Sequence, residues 1–176
     1  MPDHFENTDK EAIGVLRNAH MKQVQLTLLV DQKANMLMGI ILVTFSVISS
    51  NIAISEFNNV ILKLAFVAFG ILEILAVVMS LLVIFPRLGP KVRKEFLTEK
   101  HNPLYFMHFL SLEKEAFNEL ILENMKSPES VYKLLLNDFY DMGSSLNKKY
   151  VMLQRAYLTA AAGLLPAIFI MTLFLS

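Results

Sequence analysis

Apolar positions run nearly unbroken through three stretches of this chain and recur with helical spacing through much of the rest. Residues 36–54 carry no charged side chain, and neither do residues 156–175. Residues 60–85 carry two, Lys63 near one end and Glu73 in the middle. A hydrocarbon core about 30 Å thick takes about 20 apolar residues at 1.5 Å rise each, so all three stretches are long enough to span it. Helices that are apolar all round need lipid or a large protein interior around them. A chain of 176 residues has too little amphipathic sequence to supply that interior three times. The pattern predicts an all-α membrane protein: three transmembrane helices, with a small helical cytoplasmic domain between spans two and three.

The polar stretches read as helices too. Thr8 and Glu11 are spaced as a capping box. After them, Ile13, Leu16, Met21, Val24 and Leu28 form an irregular helical stripe, with no breaker before the first span. This predicts one helix over residues 9–54, half in water and half in lipid. Pro86, Gly89 and Pro90 end the second span. Beyond the turn at Asn102-Pro103, Ser111 is placed to cap a helix with Glu113 and Glu115 in its first turn, where the helix dipole favours acids. Ser127 and Pro128 have the N-cap and N1 chemistry of a further helix. Its stripe is Val131, Leu134, Leu135, Phe139, Met142 and Leu146, and it is free to run on into the last span despite Gly143. The expected organisation is an amphipathic cytoplasmic helix over 1–35 and a transmembrane hairpin over 36–85, with spans 36–54 and 60–85. A helical cytoplasmic region over 86–155 and a third span over 156–176 complete it.

Composition agrees with lipid. Hydrophobic residues make up 55% of the chain and charged residues 18%, against about 45–50% and 25% in soluble domains. The 16 basic and 16 acidic residues cancel, so charge suggests no nucleic-acid partner. Cysteine is absent, which excludes disulfides and thiol chemistry. The acidic N-terminus lacks a signal peptide's basic and apolar regions, so the first span is expected to direct insertion. Lys22 and Lys33 precede the first span. Arg87, Lys91, Arg93, Lys94 and Lys100 follow the second, and Lys148, Lys149 and Arg155 precede the third. The short stretch Ser55 to Asn59 carries no base. The positive-inside rule then puts the N-terminus and the 86–155 region in the cytoplasm and the C-terminus outside.

No Gly-rich phosphate loop, metal-spaced cluster or nucleophile–base set is present, so neither catalysis nor a metal site is expected. His4, His20, His101 and His108 are scattered and read as surface or interface residues. Three groups invite a functional reading. Asp31, Lys33 and Asn35 stand where the first helix approaches the membrane. Either Lys33 snorkels to the headgroups while Asp31 stays in water, or Asp31 and Asn35, one turn apart, form a polar hinge. Glu73 lies mid-span, where a charge costs about 2.5–3.5 kcal/mol on insertion scales. It is expected to be protonated or to face protein or water. It either bonds Thr44 or Ser46 of the first span or lines the axis of an oligomer, with Gly70 nearby allowing close approach. The basic cluster either meets lipid phosphates or grips a small anionic ligand. For the second reading, Arg87 and Arg93 lead through their bidentate fork, joined by Lys149 and Arg155.

The order of these features resembles the transmembrane effectors of bacterial Pycsar anti-phage defence, the PycTM-type family. The match rests on Asp31, Lys33 and Ala34 before the first span and on Pro86 and Arg87 after the second. The run Asn102 to Met107 ahead of a Ser-capped helix, and Lys149, Tyr150 and Arg155 before the last span, complete it. The resemblance covers about residues 20–175; Met107 stands where a glycine is expected. It implies a non-enzymatic inner-membrane effector that uses no cofactor and acts as a homo-oligomer. A companion cyclase would supply its regulatory ligand, cyclic CMP or cyclic UMP, and activation would impair the membrane and cause abortive infection. The residues taken without the resemblance leave two other readings open: a constitutive oligomeric channel, or a membrane anchor for a soluble partner.

Overall fold

The computed structural model describes residues 2–54, 60–85, 103–104 and 113–175. These residues form four helices: α1 (Pro2–Ile54), α2 (Val60–Ile84), α3 (Lys114–Asn124) and α4 (Pro128–Leu175). No strand occurs among the described residues. α1, α2 and α4 each contain a stretch long and apolar enough to cross a membrane, so the protein is an all-α membrane protein with three spans.

Helix starts differ from two of the sequence expectations. α1 begins at Pro2, a residue whose fixed φ and missing N–H suit the first turn, so Thr8 lies inside the helix and is not its cap. α3 begins at Lys114 with Glu113 in the N-cap position, extended at φ −69° and ψ 147°, and without a side-chain cap bond. Ser111 is therefore not the cap of α3, and it lies outside the described residues. α4 starts at Pro128, where the Val131 N–H donates to the Ser127 carbonyl at 3.2 Å. It then runs unbroken through Gly143 and Pro166. An interior proline is tolerated in a span because neighbouring helices and local adjustment satisfy the freed carbonyl.

The chain packs as two compact units, each discontinuous in sequence. One comprises Met1–Gln25 and Pro86–Leu146; the other comprises Leu26–Phe85 and Asn147–Ser176. These divisions follow side-chain packing, whereas the hydropathy segments follow the onset of apolar sequence.

The second unit holds the three spans, and its buried positions obey one rule. In α2 they are Phe69, Glu73, Ala76, Ser80 and Val83, stepping by four and three residues in turn. In α1 the same stepping gives Val30, Ala34, Leu37 and Ile41, with Ile48 one repeat further on. In α4 it gives Leu153, Ala156, Ala160 and Gly163. A seven-residue repeat keeps each helix's seam facing its partners and gives a left-handed supercoil. Small residues hold six of these positions (Ala34, Ala76, Ser80, Ala156, Ala160 and Gly163), where they allow close packing in lipid. Leu37, Ile41, Ala76, Ala156 and Ala160 form its apolar centre. Towards one end Phe45, Phe66 and Phe69 join α1 to α2, with ring centroids 5.9–6.4 Å apart. The one hydroxyl in the α2 seam, Ser80, donates to the Ala76 carbonyl of its own helix at 2.9 Å and so carries no unmet bond.

Close approach occurs at Gly163 rather than at Gly70. A Cβ at Gly163 would meet Leu72 Cβ and Glu73 Oε1, both at 3.1 Å, whereas one at Gly70 would meet a Phe45 ring carbon at an ordinary 3.6 Å. The Leu72 Cβ is fixed to the backbone, so it cannot swing aside. Gly163→Ala is expected to lower stability by about 1–2 kcal/mol through overpacking. Gly39→Ala, with open space around it, is expected to be neutral or slightly stabilising. Thermal unfolding in detergent checks both, and equal effects of the two substitutions would remove the steric argument.

Candidate functional site

Three features of the described residues bear on function: an ion pair between spans, a carboxyl inside the seam, and a cavity in the first unit.

The ion pair joins α1 to α4. Lys149 occupies a seam position, four residues before Leu153, and its Nζ donates to Asp31 Oδ1 at 2.6 Å and to Oδ2 at 2.9 Å. Both side chains are mostly shielded, with 19% and 29% of their surface exposed. Val30 beside Asp31 is fully buried, as is Ala34 one turn on. The Tyr157 hydroxyl lies 3.4 Å from the Lys33 carbonyl, a long contact between the same two helices. The Asp31–Lys33–Ala34 group and the Lys149–Tyr150 group thus meet through Asp31 and Lys149. Lys33 and Asn35 are exposed, while Asp31 is held by Lys149.

The sequence-derived anion site lies partly outside the described residues. Lys149 is engaged by Asp31, and Arg155 is exposed. Six residues apart on one helix, they point about 120° away from each other. Arg87 and Arg93 lie outside the described residues.

Glu73 is 2% exposed, in the middle of the α2 seam. Its carboxyl lies against Gly163 of α4, and neither oxygen has a hydrogen-bond partner among the described residues. The expected bond to the first span is absent: the Thr44 hydroxyl donates to the carbonyls of Ile40 and Ile41 in its own helix, at 2.9 and 3.0 Å. Ser46 is exposed. Glu73 therefore faces the packing of its own chain.

The cavity is the feature that sequence reasoning missed. It has a volume of about 600 Å³, within the range of small-molecule sites. From α1 it takes Ile13, Leu16, Arg17, His20 and Met21, which fall on one helical face at i, i+3, i+4, i+7 and i+8. From α4 it takes Leu135, Asp138 and Phe139, again one face, and Leu104 adds a wall. The polar groups are few. His20 Nδ1 lies 3.4 Å from Asp138 Oδ2, an ion pair when the imidazole is protonated. Arg17 is exposed at the mouth. A signal for this site does exist in the sequence. Asp138 interrupts the apolar stripe of its helix between Leu135 and Met142, where a surface acid has no reason to be.

A family model described as "Pycsar effector protein domain" (PycTM) matches residues 16–176. No curated protein and no solved structure matches the chain.

Two outcomes test the span geometry. The charge swap Asp31→Lys with Lys149→Asp is expected to recover most of the stability that either single change removes, with a coupling of about 1 kcal/mol for so partly shielded a pair. Additive losses in thermal unfolding would show that the contact contributes nothing. Glu73→Leu is expected to keep or raise the unfolding temperature, because it removes buried acceptors that have no donor. A clear drop would mean that the carboxyl is bonded.

Proposed function

The chain belongs to the Pycsar effector (PycTM) family, and on that premise we propose that it is a membrane effector of bacterial anti-phage defence gated by a cyclic pyrimidine nucleotide. Cyclic CMP or cyclic UMP, made by a companion cyclase, binds the helices outside the membrane and changes how the spans pack. The altered packing, in a homo-oligomer, impairs the inner membrane and halts growth before phage are released. The protein performs no catalysis in this scheme and needs no cofactor. The N-terminus and the 86–155 region are cytoplasmic, by the basic flanks of the spans, and the C-terminus is outside.

The observation that carries this reading is the extent of the family match. Residues 16–176 include all three apolar spans and nearly all the residues that line the cavity. The physical demands on such a device are definite. A ligand shifts a packing equilibrium only through its different affinities for the two states, and moving it from 1:99 to 99:1 takes a preference of about 10⁴-fold. The resting assembly must therefore be poised, not deeply stable. Only 22–28% of positions in the apolar windows of the spans are buried within the chain. That leaves most of each span's surface for lipid or for other copies.

Liposomes carrying the full chain and a trapped dye test the reading. Leakage is expected with cyclic CMP or cyclic UMP and not with cyclic AMP. Leakage without any nucleotide would instead support a constitutive channel. Silence under every condition, with insertion and orientation verified, would support an anchoring role.

A further inference from the structure

The cavity of the first unit has features that suit a small organic anion. Its described lining is largely apolar and includes the Phe139 ring, against which a planar group can pack. Its polar groups differ in sign. Arg17 has no ion-pair partner among the described residues, and its planar fork matches the geometry of a phosphate. Asp138, with 16% of its side chain exposed, is an acceptor, and His20 Nδ1 is turned towards it. An anion placed beside Asp138 would be repelled, whereas one placed at Arg17 is attracted. The two residues therefore fix which way round a ligand with one charged end and one hydrogen-bonding end can lie.

The geometry points to this cavity as the seat of the activating ligand. The ligand class is a small cyclic phosphodiester with a single-ring base, its phosphate at Arg17 and an N–H donor of the base at Asp138. This assignment deepens the function proposed above and rests on it for the ligand's identity. The single charge of a cyclic phosphodiester is met by the single arginine. Cytosine presents its exocyclic amino group and uracil its ring N3–H, and a carboxylate accepts from either. Phe139 and Leu135 supply the surface over which the ring lies. The lining comes from α1 and α4, the two helices that also carry Asp31 and Lys149 in the other unit. Ligand contact with both helices is thus contact with the two elements that the ion pair joins.

Equilibrium binding of cyclic CMP and cyclic UMP to the full chain in lipid nanodiscs tests the assignment. Arg17→Ala, an exposed position, is expected to weaken binding at least about 10-fold, as loss of a charge-assisted hydrogen bond does. Leu135→Trp, which fills the cavity with an apolar ring, is expected to abolish binding. The unfolding temperature of each variant without nucleotide should stay at that of the parent, which separates loss of the site from loss of the fold. If both variants keep the parental affinity, the ligand sits elsewhere and this assignment falls while the proposed function stands. Loss of binding in Arg155→Ala but not in Arg17→Ala would place the ligand at the membrane junction, with the same consequence. If the parent binds neither nucleotide, the proposed function and this assignment fall together.

Discussion

Helices already in lipid gain nothing by hiding apolar surface against one another, so spans associate only where backbones come close or polar groups meet. The arrangement of the three spans follows from that constraint. Ala34, Ala76, Ser80, Ala156, Ala160 and Gly163 supply the close approach. At Gly163 the neighbouring helix is so near that even a methyl group would press on Leu72. Bulk enters where there is room, in the three phenylalanines between α1 and α2. One well-formed polar contact between spans, Asp31 with Lys149, stands close to where both helices change from polar to apolar sequence.

Glu73 runs against this economy. A Leu there would leave no acceptor unmet, yet the chain places a buried carboxyl against Gly163, where the helices come close. A buried polar group without a partner makes its packing less stable than an apolar seam would be. An arrangement held by small residues and one half-shielded ion pair, and weakened by a misplaced acid, has modest reserves against rearrangement. That is the condition a ligand-gated membrane effector requires, because binding energy can switch only a state that is finely balanced.

The first unit solves a different problem. Among its described residues, faces of α1 and α4 line a cavity, where His20 and Asp138 pair and Arg17 is exposed. The same two helices, α1 and α4, supply its walls and continue in sequence into the spans.

Several features were legible in the residues alone. Hydropathy and length determined the three spans, because lipid imposes a minimum run of apolar side chains whatever the neighbours are. Ser127-Pro128 marked the start of α4, because N-terminal chemistry is local. The longer α1 and the cap of α3 differed from expectation because frame and propensity are weak where a helix can simply extend. What only the tertiary structure decided is which faces meet. Asp31 and Lys149 are 118 residues apart in sequence, and nothing local distinguishes a lysine that snorkels from one that seals a seam. The role of glycine passed from Gly70 to Gly163 for the same reason: both are small, and only the approach of a second backbone separates them. Apart from the interruption at Asp138, each helix shows an ordinary amphipathic stripe, and only the tertiary structure decides which stripes face each other around the cavity.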